Sequence, residues 1–397
     1  MNRFAIFLLA LGAFVTGTAE FVVSGILELI AEDLDVSIAA AGQLVTFFSL
    51  SYAFGALFLV MLTSKFERKR VLLFAMLTFI AGNLIAFFSS YFGLLMFSRI
   101  VLAMSGGLYI VIATHYAARL AQPDKRGNAI AIVMTGFSVS LVLGVPFGTL
   151  MAAYMDWRYI YLTIAVITLV TFLLLYRFIP KLDGTEPTPW RQQLHLLRSK
   201  PLITGLLITV FWILGYTMIF AYIGPFLARL AGFSIEGIST ALFVLGVFAF
   251  IGARFGGYAV DKWGPVRTIF ISLLLHAAAL IALSVMQGTS LGVFVILMIW
   301  GAAAWTTTPA SQFYLISLRP QASETVLSFN TALMNIGMTA GAALGGVVID
   351  NVSVLHLGWL SGMVVLIALA TAIYSFTSRE KQPCNYDDTL TQIACDK

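Results

Sequence analysis

Two charged residues, Glu20 and Arg99, stand where charges are expensive. Glu20 lies within Thr16-Gly17-Thr18-Ala19-Glu20-Phe21-Val22-Val23-Ser24-Gly25, with roughly two helical turns or more of apolar sequence on either side. A carboxylate in such a place costs a few kcal/mol even on lenient insertion scales, which marks it for function. Two roles suit it: an acid that titrates during a working cycle, or one that snorkels to the headgroups or stays protonated. Arg99 begins about 9 Å, and Glu20 about 12 Å, below the same end of their helices at 1.5 Å per residue. Arg99 too has an alternative, snorkelling to the headgroups. Burial disfavours the charged form of a carboxyl, whereas a nearby guanidinium favours it. An acid balanced between those influences, and wetted alternately from two sides, can load a proton on one side and release it on the other.

The elements that must hold these groups follow from composition. Of 397 residues, 60% are hydrophobic and 10% charged, with mean hydropathy +0.95. A soluble domain has about a quarter charged residues, so this is an all-α membrane protein. Apolar runs between polar punctuation predict twelve transmembrane helices near 4–28, 39–62, 71–90, 93–118, 128–155, 159–179, 202–228, 237–260, 268–286, 291–317, 324–349 and 358–377. The first run is too long for a signal peptide and lacks a small-residue cleavage site. The net charge of +5 sits in short loops. Lys65, Arg68, Lys69 and Arg70 follow span two, Arg119, Lys125 and Arg126 follow span four, and Lys262, Arg267 and Arg319 follow later even spans. The opposite loops carry Glu32, Asp33, Asp35, Asp156, Glu236 and Asp350. The positive-inside rule then sets both termini in the cytoplasm, and the basic excess does not indicate nucleic acid. Cys384 and Cys395, in the polar tail 379–397, give no disulfide framework and no metal site.

Lys181–Lys200 is the one long polar break, and it divides the chain into halves 1–180 and 201–378. Its Gly184, Pro187 and Pro189 break helix, whereas Trp190, Leu194 and Leu197 suit either a short interfacial helix or a plain linker. The halves repeat. Gly17 and Gly215 are 198 apart, Gly25 and Gly224 199, and both Ser64–Asp261 and Gly148–Gly345 are 197 apart. Duplicated halves about a central site mark secondary transporters. Small residues recur every four positions in span five, at Gly136, Ser140, Gly144 and Gly148 with Pro146 among them, and in span eleven at Gly337, Gly341 and Gly345. Such stripes let backbones approach closely, as a static packing seam or as a smooth seam on which halves pivot.

Ala19-Glu20-Phe21, Gly144-Val145-Pro146-Phe147-Gly148-Thr149 and Asp156-Trp157-Arg158 occur in this order in bacterial drug:proton antiporter-type exporters of the major facilitator superfamily. Nearly the whole chain resembles the branch of arabinose and chloramphenicol exporters and purine efflux pumps. Trp300-Gly301, Ser328-Phe329-Asn330-Thr331 and Gly345-Gly346-Val347-Val348-Ile349-Asp350 favour the purine pumps. The resemblance implies the major facilitator fold, two pseudo-symmetric six-helix halves around one cavity. It also implies that spans one and four are neighbours and that Arg99 is the membrane-embedded arginine associated with proton transfer.

The family's loop between spans two and three reads Gly-x-Leu-Ala-Asp-Arg-x-Gly-Arg-Lys and latches the cytoplasmic side. Here Val60, Ser64 and Glu67 replace the Gly, the Asp and the second Gly, while Arg68, Lys69 and Arg70 remain. The copy after span eight keeps Gly257, Asp261, Gly264 and Arg267. An acid such as Asp261 can cap a helix N-terminus, where an anion gains up to about 1 kcal/mol, and Ser64 can cap only without the charge. The first latch is therefore expected to be the weaker.

A substrate cavity is expected from Tyr109, Trp212, Tyr216, Trp305, Thr308, Gln312 and Asn335, each of which suits helix tying or packing equally well. His115 and His276 are expected to make local hydrogen bonds. The predicted function is proton-coupled export of small organic molecules, either drug-like amphipaths or purine bases and nucleosides, by a monomer. A facilitator or importer on the same fold, or a non-transporting sensor, is the alternative. No phosphate-binding Gly-x-x-x-x-Gly-Lys-[Ser/Thr] loop and no nucleophile or metal constellation is present, so neither an ATP-driven pump nor an enzyme is expected, and no cofactor.

Overall fold

The computed structural model describes residues 3–122, 126–184, 199–286, 290–319 and 322–380. The expected interfacial helix at Trp190–Leu197 and the cysteine-bearing tail lie outside the described residues. Within them the chain is helical, as lipid demands of a chain whose backbone groups must pair internally. Spans one to six are Arg3–Asp33, Ile38–Phe54 with its continuation to Leu62, Arg68–Phe87, Phe92–Leu120, Arg126–Val139 with its continuation to Tyr154, and Arg158–Phe178. Span seven is Lys200–Phe220 followed by Ile223–Ala231, and spans ten to twelve are Ser290–Leu318, Ser323–Asn351 and Leu357–Glu380.

Spans eight and nine form one run of 51 residues, Ile235–Val285. At 1.5 Å per residue it is more than twice the thickness of a bilayer core, so it must cross twice. The reversal is at Gly264, with φ 78° and ψ 163°, followed by Pro265. That backbone region is essentially reserved for glycine. At the matching place in the first half, 197 residues earlier, Glu67 has φ −53° and the chain needs no glycine. The missing glycine of the first signature loop thus reflects a different path of the backbone.

The duplication reaches single turns. Ser37 caps span two by accepting from Ala40 N (3.1 Å), and Ser234, again 197 residues on, caps span eight from Gly237 N (3.3 Å). The preceding loops each turn through one left-handed residue, Asp35 at φ 50° and Gly232 at φ 64°. Asp156 accepts from Arg158 N (2.8 Å) where Ser353 accepts from Leu355 N (3.3 Å). Spans one and seven both break, at Ile26 (φ −117°, ψ 16°) and Tyr222 (φ −117°, ψ 24°).

The small-residue stripes pack inside each half, on its own first span. A Cβ at Gly136 would lie 2.1 Å from Ala10 O, and one at Gly144 2.0 Å from Thr18 Oγ1. In the second half, Gly337, Gly341 and Gly345 press on Val210 O, Leu214 O and Met218 O of span seven. Of the two readings of these stripes, the contacts match a packing seam inside each half rather than a seam between the halves. The halves meet through other faces. Ser239 of span eight donates to Pro146 O (2.7 Å), and Gly246 crosses Leu141 and Val142. Pro146 has no N–H, and the helix widens into a π segment, Ser140–Gly144, just before it. Gly346 of span eleven faces Ala39 and Gln43 of span two, and Gly224 faces Ser24 and Gly25.

All of these meetings lie toward the end that carries the acidic loops. There one apolar core runs through both halves, from Val15, Phe48 and Ile160 to Tyr222, Leu242 and Val365. Toward the other end the core divides. Ile6, Leu72, Tyr116 and Leu175 cluster in the first half alone, and Leu202, Leu206, Leu315 and Val326 in the second. A cleft of about 480 Å³ opens there, between Phe7, Ala10, Leu11 and Phe14 of span one and Ile132, Thr135 and Val139 of span five.

Candidate functional site

Glu20 and Arg99 come together, though by a different contact from the one their charges suggest. Arg99 is fully buried. Its Nη1 donates to Ala19 O, its Nη2 to Glu20 O (3.1 Å) and its Nε to Leu44 O (3.5 Å). The guanidinium lies 4.0 Å from the centre of the Phe48 ring. The arginine therefore grips the main chain of spans one and two and spends its charge on carbonyls and a π face. The Glu20 carboxylate, also buried, is in none of the ion pairs among the described residues, and its Oε2 has no hydrogen-bond partner. Tyr52 of span two is near enough to feel the charge of Glu20, and Tyr161 of span six that of Arg99. Phe48, Tyr52 and Tyr161 were not singled out from sequence, because aromatic residues in apolar helices give no signal of which face they occupy.

The expected cavity residues divide into separate groups. Tyr109 ties span four to span one, donating to Leu9 O (2.9 Å) across the space that Gly12 leaves. Asn335 is buried and its Nδ2 donates within its own helix to Thr331 O (3.0 Å). Trp305, Thr308 and Gln312 of span ten are partly exposed. Trp212 and Tyr216 belong to an aromatic group with His276 and Trp300. Tyr216 lies 5.4 Å from Trp300 and stacks on Phe220 at 5.1 Å, and Phe220 meets Phe21 of the first half at 5.9 Å. His276 makes the expected local bond, accepting at Nε2 from Trp300 Nε1 (3.1 Å).

The two latch loops differ. Ser64 and Arg68 are buried. The start of the central connection folds over that loop: Arg68 N donates to Leu182 O (2.7 Å), Lys69 Nζ to Ile179 O (2.8 Å), and Gly184 presses on Ser64 O. Span three has no side-chain cap. Asp261 and Arg267 are exposed and in none of the ion pairs among the described residues, and nothing lies within 4 Å of a Cβ on Gly257. At the opposite end Arg158 joins three segments, bonding Asp33 (2.7 Å), Asp156 (3.2 Å) and Ser89 O (2.8 Å). Among the described residues no group of three His, Cys, Asp or Glu could hold a metal ion.

Twelve spans in duplicated halves, with an acid and an arginine buried inside the first half, are the plan of a membrane transporter, and comparison with known proteins gives its family. The family model of the Major Facilitator Superfamily matches residues 9–331. An uncharacterised MFS-type transporter of Bacillus subtilis (strain 168), YbcL, is 38% identical over 381 residues, 96% of this chain and 98% of the relative. A second from the same organism, YtbD, is 33% identical over 367 residues, 91% and 92% of the two chains. The chain belongs to the major facilitator superfamily and is a transporter rather than an enzyme. Solved structures agree on the fold. A D-xylose–proton symporter superposes with TM-score 0.77 at 18% identity, covering 94% of this chain and 97% of that one. A bacterial homologue of the human lysosomal transporter Spinster, inward-facing and unoccupied, superposes with TM-score 0.79 at 15% identity, covering 94% and 96%.

Proposed function

We propose that the protein is a proton-driven exporter of small organic molecules in the bacterial plasma membrane, with both termini cytoplasmic and Glu20 as the titrating group. The observation that carries this reading is the Glu20 carboxylate, buried with one oxygen unpartnered while Arg99 fixes its backbone in place. A charge in that position is costly, so proton binding, which removes it, and substrate binding, which supplies new contacts, compete for one site. With the loops signed by their charges, the shared core closes the outer side and the divided core opens the inner one. This arrangement suits a state that takes up solute from the cytoplasm and releases the proton there.

The substrate would lie between the halves, against Trp212, Tyr216, Trp305, Thr308, Gln312 and Asn335. Aromatic walls with a few amides and hydroxyls suit flat, modestly polar molecules, which include drug-like amphipaths and purine bases. Import or facilitation on the same fold is the competing direction. A thermal-shift screen of purified protein against purines and common antibiotics identifies a binder, because only a ligand of the folded state stabilises it. Everted vesicles energised to an acidic interior should then accumulate that compound, and an uncoupler should release it. Accumulation that ignores the uncoupler, or none at all, overturns proton-driven export.

A further inference from the structure

Among the described residues of the second half, three buried N–H groups gather around one ring, two of them with no acceptor and the third with only the hydroxyl of that ring. Trp212 and His276 are almost fully enclosed. Their rings lie 6.5 Å and 6.2 Å from Tyr216, and 6.3 Å from each other. Trp305 stands beside the hydroxyl of the same tyrosine. Trp212 Nε1 and His276 Nδ1 have no hydrogen-bond partner, and Trp305 Nε1 has none beyond that neighbouring hydroxyl. The state of His276 follows from its one bond. An indole N–H can only donate, so Nε2, which receives Trp300 Nε1, carries no proton, and a neutral ring must hold its proton on Nδ1. All three groups are thus donors. Buried polar groups without partners are rare and call for a ligand or an ordered water. The void that Tyr216 lines between the halves, about 10 Å³, is room for no more than one water.

We infer that Trp212, His276 and Trp305 form an acceptor-binding subsite around Tyr216, which takes the carbonyl or ring-nitrogen edge of a flat, uncharged solute when the halves part. This rests on the transporter reading above and adds to it a substrate class: molecules with several acceptors on a plane. The site offers three donors and aromatic faces between them, so a flat molecule whose edge can only donate is left with unmet partners. His276 enters as a specificity residue that acts on the solute through Nδ1, while Nε2 stays engaged by Trp300.

Two bicyclic probes of similar size separate the cases: coumarin, which only accepts hydrogen bonds, and indole, which donates through its N–H. On the full-length protein in lipid nanodiscs, coumarin should bind about tenfold more tightly than indole, the difference expected from about one hydrogen bond. Trp212→Phe and Trp305→Phe, which keep a ring and remove the N–H, should each erase most of that preference without shifting the melting temperature of the unliganded protein. Equal binding of the two probes, absence of both, or a preference that survives both substitutions overturns the subsite and leaves the donors to water. Vesicle transport is scored separately. If the preference holds while export fails, the subsite stands and the coupling assignment falls; if export holds without the preference, the reverse is true.

Discussion

At the scale of single residues, the central pair works through an unequal division of labour. Arg99 is bound to carbonyls of Ala19, Glu20 and Leu44, so its removal should damage architecture, whereas Glu20 should affect coupling alone. Glu20→Gln is expected to abolish uphill, proton-dependent efflux while expression and melting temperature stay near those of the parent protein. Retained uphill export would remove Glu20 from its role. Arg99→Lys keeps the charge but loses the fork that reaches three carbonyls, so the folded yield should fall. A lysine variant that melts with the parent would show the clamp to be dispensable. Sequence alone was enough to single out both charges and their common depth. It could not indicate that the guanidinium would choose main chain over carboxylate, because backbone carbonyls at a helix crossing leave no mark in residue type.

At the scale of elements, glycine positions sort by what stands opposite them. A Cβ at Gly341 would come within 2.5 Å of Leu214 O, a backbone atom that cannot step aside, whereas one at Gly257 meets nothing. Gly341→Ala should therefore lower the melting temperature clearly and Gly257→Ala hardly at all, measured on detergent-purified protein. Gly264→Ala should cost about 1–3 kcal/mol for its forced backbone. Glu67→Ala, at the matching place in the first half, forces no backbone strain and gives up a half-exposed ion pair with Arg70 (3.0 Å), worth about 1 kcal/mol or less. Equal losses at 264 and 67 would contradict the different paths of the two loops. The small-residue stripes were visible as a period of four, but a period names a face and not the partner it meets. The same holds for the latch loops: Ser64 and Asp261 could be aligned from sequence, while the cover that residues 179–184 lay over the first of them could not.

For the whole molecule, the duplicated design was legible in advance through offsets of 197 to 199, and the structure carries it down to caps and left-handed turns. What could not be read was which end of the bundle is shut, since one sequence must serve every state of the cycle. A cross-link tests whether the closed end must open. A Cβ at Gly346 would lie 3.6 Å from Cβ of Ala39, within the reach of a disulfide. The pair Ala39→Cys and Gly346→Cys should form a bond under oxidant, stop transport, and recover with reductant. Transport that continues through the oxidised form would mean that this end does not part.

The grip of Arg99 on the main chain has a consequence for the history of such chains. Arg99 holds this helix by its main chain, so on the coupling role proposed for Glu20 a mutation there should change the driving force and spare the scaffold. On that role, a coupled exporter and a passive facilitator for the same solute would stand one codon apart. Selection can move a lineage between them as often as the value of a proton gradient changes, without a new fold being made.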